Sequence, residues 1–87
     1  MKILARPIEM ITVTNENGVI TPIRFKLKNE DASCSIIKID KIIFTEKERL
    51  AGNYMFLYRC KSLIDDVEKI YEIKYELNSC KWLLFKM

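Results

Sequence analysis

The chain has no histidine in 87 residues, only two glycines and two prolines, and three cysteines with no C-x-x-C spacing. Each shortage excludes something. Histidine is the usual general acid–base and the commonest metal ligand, so its absence argues against acid–base catalysis. It also leaves Cys34, Cys60 and Cys80 one ligand short of a four-coordinate zinc site. An odd, widely spaced cysteine set argues against a disulfide scaffold, and the three read as small apolar residues within strands. The scarcity of glycine and proline leaves no material for a long flexible linker. Neither G-x-x-x-x-G-K nor G-x-G-x-x-G occurs. No run approaches the roughly 20 apolar residues of a membrane helix, and the apolar stretch within Met1–Pro7 is far too short for a signal peptide. The expectation is a protein of a reducing cytoplasm, with no membrane partner, no cofactor and no enzymatic activity.

What is present is a balanced mixture. Hydrophobic residues make up 49% and charged residues 31%, a soluble globular composition that fits one domain over residues 1–87. A chain this short buries only roughly 60–65% of its unfolded surface, so its core is thin. The net charge of +3 is too mild to argue for nucleic acid by itself.

The dominant pattern is a period of two. In residues 19–28, Ile23, Phe25 and Leu27 share one face and Arg24, Lys26 and Lys28 the other, the mark of a half-buried strand. A first strand is expected over 8–14, followed by a hairpin at Asn17-Gly18, whose residue pair suits a type I′ turn. Pro22 cannot donate to a ladder and marks an edge or bulge. A third, isoleucine-rich strand spans about 33–44, with its pattern broken after Asp40-Lys41 by a bend or bulge of the kind that closes small barrels. Thr45 with Glu48 forms a capping-box pattern and Gly52 suits a helix end, so one or two helical turns, or a tight charged loop, are expected over 45–52. Strand four covers 53–61. Residues 62–72 fit either a short helix or a hairpin closing around Asp65-Asp66. Alternation resumes through Tyr71, Ile73, Tyr75 and Leu77, and a last strand covers 80–86. The expected fold is an all-β antiparallel barrel of five or six strands, SH3-like or related. Its expected core is Ile11, Val13, Ile23, Phe25, Leu27, Ile37, Ile39, Phe56, Tyr71, Ile73, Tyr75, Trp82 and Leu84.

The stretch Tyr71-Glu72-Ile73-Lys74-Tyr75-Glu76-Leu77, followed by Lys81-Trp82-Leu83-Leu84-Phe85-Lys86, resembles small uncharacterised domains of Gram-positive bacteria with the pattern Y-E-L-K-Y-E, then K-W-x-L-x-K. Pro22-Ile23-Arg24-Phe25 and Leu50-Ala51-Gly52-Asn53 are similar to earlier parts of that pattern. The resemblance covers most of residues 19–87, with Ile73 standing where leucine is preferred. It implies a compact β-barrel of unassigned function and carries over no catalytic or binding residue.

Two functional surfaces are expected from the patterning. Arg24, Lys26 and Lys28 with Arg59 and Lys61 would form one basic face if their strands paired, and Tyr54 and Tyr58 could supply stacking platforms for a single-stranded nucleic acid. Against this, outward lysines keep a sheet soluble, and Glu72 and Glu76 could neutralise the face by cross-strand pairing. The second surface arises because strand four and the last strand are apolar on both faces. One side of each must then meet the short helical segment, the Met1–Pro7 arm or a second chain, and a homodimer or protein partner would bury Met55, Leu57, Leu83 and Phe85, or the opposite set if the faces are inverted. A protein-interaction or self-associating module is the leading expectation, with nucleic-acid binding as the alternative. The carboxylate pairs Glu46/Glu48 and Asp65/Asp66 read as solvated turns.

Overall fold

A computed structural model describes residues Met1–Met87. Seven strands run β1 (Ile3–Thr14), β2 (Ile20–Lys28), β3 (Cys34–Lys38), β4 (Lys41–Leu50), β5 (Asn53–Ile64), β6 (Val67–Glu76) and β7 (Lys81–Lys86). All pair antiparallel in one sheet, in the order β3-β2-β1-β7-β6-β5-β4. The two edge strands, β3 and β4, are consecutive in the chain and joined only by Ile39-Asp40. The sheet must therefore curl until its ends meet at that corner. There the Asp40 amide donates to the Lys61 carbonyl (3.0 Å), the Leu63 amide to the Asp40 carboxylate (2.7 Å) and the Ser62 hydroxyl to the Lys38 carbonyl (2.6 Å). The architecture is a curled half-barrel with no helix, hence none long and apolar enough to cross a membrane.

The all-β, barrel-like expectation holds, with seven strands rather than five or six. The stretch 33–44 divides at the Asp40 corner into β3 and the start of β4, as the broken pattern there foretold. The helical turn at 45–52 does not form. β4 continues to Leu50 and pairs along its length with β5, and this ladder outweighs a single helical turn, which is marginal alone. Ala51 (φ 51°) and Gly52 (φ 81°) make the two-residue turn that comes next. Residues 62–72 form a hairpin whose turn is Asp65 (φ 50°) and Asp66 (φ 62°), with Ile64 opposite Val67. Aspartate tolerates the left-handed region better than most residues. The hairpin at Asn17-Gly18 forms too, but only Gly18 has positive φ there. The Asn15 side chain accepts from the amides of Asn17 and Val19 and holds a longer loop than a type I′ turn.

The concave side holds the core: Phe25, Ile37, Tyr58, Cys60, Tyr71, Ile73, Trp82 and Leu84. Phe25 meets Tyr71 edge-on at 5.6 Å, and Trp82 packs between Tyr58 (5.4 Å) and Tyr75 (4.8 Å). Leu27, Ile39, Phe56 and Tyr75 pack against this cluster half-buried. Ile11, Val13 and Ile23, with the composition of core residues, are instead exposed. Ile11 pairs with Arg24 but Thr12 pairs with Pro22, so Ile23 is an extra residue bulged out of β2 while Pro22 goes inward. Met10, not Ile11, stands opposite Phe25 and takes the inner position on β1.

Only 12 of 87 residues are buried, so much apolar area faces outward. The accessible surface is 6029 Å². A compact monomer of 10.3 kDa would expose about 5,350 Å². The excess is what a sheet left open along one seam produces.

Candidate functional site

The open seam lies beside β4. This strand pairs with β5 on one side only, and its other side bears unpaired backbone groups over ten residues. Antiparallel partners share a face, so Tyr58 places Thr45 on the concave side and Cys60 places Ile42 there. Ile42, Thr45, Phe56 and Tyr58 form one wall of an apolar cleft of about 380 Å³, and Gly18, Val19, Ile20 and Thr21 form the other. The β2 lip is sealed. Pro22 has no N–H, and the Ile20 carbonyl accepts a hydrogen bond from the Tyr58 hydroxyl at 2.9 Å. Burial pushes the Tyr58 phenol up to about 12, so it remains a donor at neutral pH. The β4 lip has no such cap.

Charge alternates along that lip. Lys47 and Arg49 point to the concave side, where their cationic groups lie 5.0 and 5.4 Å from the centre of the Tyr54 ring. Glu46 and Glu48 point to the convex side, opposite Leu57 and Met55. Glu48 has its charge partner in Lys74 (3.0 Å). Glu46, Lys47 and Arg49 have no ion pair. The charged residues of 45–49, expected in a helix or loop, thus stand along an unpaired strand edge.

The cations Arg24, Lys26, Lys28, Arg59 and Lys61 do not assemble into one face by strand pairing. β2 and β5 are separated by β1, β7 and β6. Arg59 is held by Glu72 through Nε (3.1 Å) and Nη2 (2.8 Å) and lies over the Phe44 ring at 5.1 Å. Glu72 thus neutralises this cation across the strands, as its position suggested. Lys61 lies 3.5 Å from Glu68. Arg24, Lys26 and Lys28 are exposed on the convex side of β2, with Lys26 3.9 Å from Glu9. Their new neighbour is Lys38, directly opposite Arg24 on β3, a pairing legible only once β3 is known to lie beside β2. Exposed Ile11, Val13 and Ile36 flank them. Tyr54 and Tyr58 lie on the opposite, concave side of the sheet from these cations. Tyr58 is only 3% exposed and packed on Trp82, so it offers no free stacking face.

Met55, Leu57, Leu83 and Phe85 do share the convex face of β5 and β7, with β6 between them: Leu57, Lys74 and Leu83 form one cross-strand row. Leu57 is already 7% exposed in the single chain, and the other three are half-buried. Lys74 crosses this patch, with its ammonium 3.7 Å from the centre of the Phe85 ring. The Met1–Pro7 arm does not cover the patch; it extends β1 and pairs edge-on with β7, Ile3 against Lys86 and Pro7 against Leu83. Cys34, Cys60 and Cys80 are free thiols, Cys60 alone buried.

No protein-family model matches the chain, and no curated protein or solved structure shows significant similarity to it.

Proposed function

We propose that this chain is a non-catalytic protein-interaction module that receives an extended polypeptide segment along β4. The carrying observation is the ten-residue unpaired edge of β4 opening onto an apolar cleft whose opposite lip is sealed. An extended segment laid beside β4 would satisfy its free N–H and C=O groups, and alternate side chains would enter the cleft. At about 380 Å³ the cleft is at the small end of ligand sites, suited to side chains rather than a large cofactor. We read the half-barrel as akin in shape to small SH3-like barrels, opened along one seam. The exposed thiols of Cys34 and Cys80 fit a reducing, cytoplasmic setting.

The test is selection of random displayed decapeptides on the immobilised protein, with amide shifts mapping where the selected peptides sit. Binders that perturb β4 and the cleft, and are lost on filling the cleft with Thr45→Trp, support the reading. No enrichment, or binders mapping elsewhere, overturns it. Solution mass tests self-association: a dimer abolished by Leu83→Lys would move the interface to Met55, Leu57, Leu83 and Phe85.

Nucleic-acid binding is the second reading. It is favoured by Arg24, Lys26, Lys28 and Lys38 lying together on the convex side of β2–β3, with Glu9 as their one ion partner. Flanking isoleucines rather than aromatic rings place it second. Arg24→Glu/Lys26→Glu should weaken binding of a single-stranded oligonucleotide and flatten its salt dependence, and unchanged affinity would reject it.

A further inference from the structure

If β4 receives an extended segment, its charge order restricts which segment that can be. From Glu46 to Arg49 the strand carries acid on its convex side and base on its concave side, and three of the four charges have no ion partner. Consider first a second copy of the chain. Two β4 strands paired antiparallel about a two-fold axis must bring side chains of the same face together. A register centred on Glu46 sets Glu46 against itself. One centred on Lys47 sets Lys47 against itself and Glu46 against Glu48. One centred on Glu48 sets Glu48 against itself and Lys47 against Arg49, and one centred on Arg49 sets Arg49 against itself. A register centred on Thr45 runs into the bulge at Ile43. Like charges directly opposite are destabilising, so the strand rejects a folded second copy, whose faces are fixed, but not a free segment that can turn its faces over.

The same arrangement welcomes a strand of the inverse order. Resting on the docking of a segment at β4, we infer that this strand selects an extended peptide carrying basic residues opposite Glu46 and Glu48, acidic residues opposite Lys47 and Arg49, and an apolar side chain opposite Thr45. The first set lies on the convex side. The second enters the concave side beside Tyr54, where Lys47 and Arg49 have only a ring for a partner. The apolar residue falls into the cleft lined by Ile42, Thr45, Phe56 and Tyr58. Such a segment becomes an eighth strand in the seam between β4 and the sealed β2 lip.

The experiment uses the full chain and two synthetic octapeptides of equal composition, capped at both ends. The matched one is Thr-Glu-Lys-Glu-Lys-Leu-Val-Ile, which runs antiparallel to β4 with its first residue opposite Leu50. The control exchanges its glutamates and lysines. Titration followed by backbone amide shifts should show the matched peptide binding about tenfold tighter, with the changes centred on β4 and the cleft. In Lys47→Glu/Arg49→Glu the preference between the peptides should be lost or reversed. Equal affinity for the two peptides at β4 overturns the charge code and leaves the docking of a segment there standing. A failure of both peptides, while displayed peptides still select onto β4, overturns it in the same way. A dimer of the full chain that pairs β4 with β4, seen as a doubled solution mass with amide shifts centred on β4, overturns the exclusion of a folded second copy.

Discussion

Removing one hydroxyl at the corner of the barrel should cost more than removing two. Ser62 and Tyr71 are both fully buried, and their oxygens lie 2.6 Å apart. Ser62 also reaches the Lys38 carbonyl at 2.6 Å. A carbonyl only accepts and serine has a single hydroxyl proton, so Ser62 donates to Lys38 and Tyr71 must donate to Ser62. The chain of bonds ties β6 through β5 to the last residue of β3, immediately before the Ile39-Asp40 corner. Ser62→Ala orphans the buried Tyr71 hydroxyl and leaves the part-buried Lys38 carbonyl without its partner, at roughly 1–3 kcal/mol each, and so should cost about 3 kcal/mol. Tyr71→Phe leaves the Ser62–Lys38 bond intact and should cost about 1 kcal/mol. The double variant orphans only the Lys38 carbonyl and should cost about 2 kcal/mol, less than Ser62→Ala alone, where additivity would give about 4 kcal/mol. Stability of a chain this size is roughly 4–13 kcal/mol, so these differences are measurable. Urea unfolding followed by the fluorescence of Trp82 is a suitable assay, because that residue is buried against two tyrosines. Single-variant losses that add within about 0.5 kcal/mol would refute the bonding order and show the two hydroxyls acting independently.

Phe25→Ala should destabilise by about 3–5 kcal/mol, because the ring is 1% exposed and packs edge-on against Tyr71; little change in Tm would show that its place in the core is wrong. Ala51→Gly should stabilise by about 0.5–1 kcal/mol and raise Tm, since the native φ of 51° suits glycine and strains alanine; a lower Tm would contradict a left-handed turn there. Burial pushes both the Cys60 thiol and the Tyr58 phenol up to about 12. Both folded-state values lie above the unfolded ones, so the stabilisation is complete below the unfolded pKa values and is lost as pH rises from about 8.5 (thiol) and 10 (phenol) towards 12. Alkaline unfolding curves over that window, with phenolate absorbance as a second probe, check the sign. A stability that rose between those limits would contradict it. In the native state at neutral pH, a thiol reagent should modify Cys34 and Cys80 readily and Cys60 only on unfolding.

Alternation of apolar and polar residues was enough to determine an all-β chain and several strands, because a strand's side chains obey a period of two whatever its neighbours are. The hairpin at Asn17-Gly18 and the bend after Asp40 were legible for the same local reason: turn chemistry and a broken pattern are properties of a few consecutive residues. Most of the core on β3, β6 and β7, together with Phe25, came from that periodicity as well. What local pattern did not carry was position among strands. Ile11 and Ile23 have the composition of core residues, yet Met10 takes the inner place opposite Phe25 and leaves Ile11 outward, and the bulge at Ile23 turns that residue outward, because a one-residue shift of register exchanges the faces of a strand. Thr45 to Arg49 has the spacing of a helix cap, yet the whole of β5 lies beside it, and a ladder of that length overrides a single helical turn. The basic residues of β2 and β5 look like one surface in the chain, yet three strands stand between them in the sheet. The open seam itself could not be read from any window of residues. Chain pattern alone fixes which residues alternate and where the backbone turns. Only the curled sheet decides which strand is left without a neighbour, because that depends on where two strands distant in the sheet, β2 and β4, fail to meet.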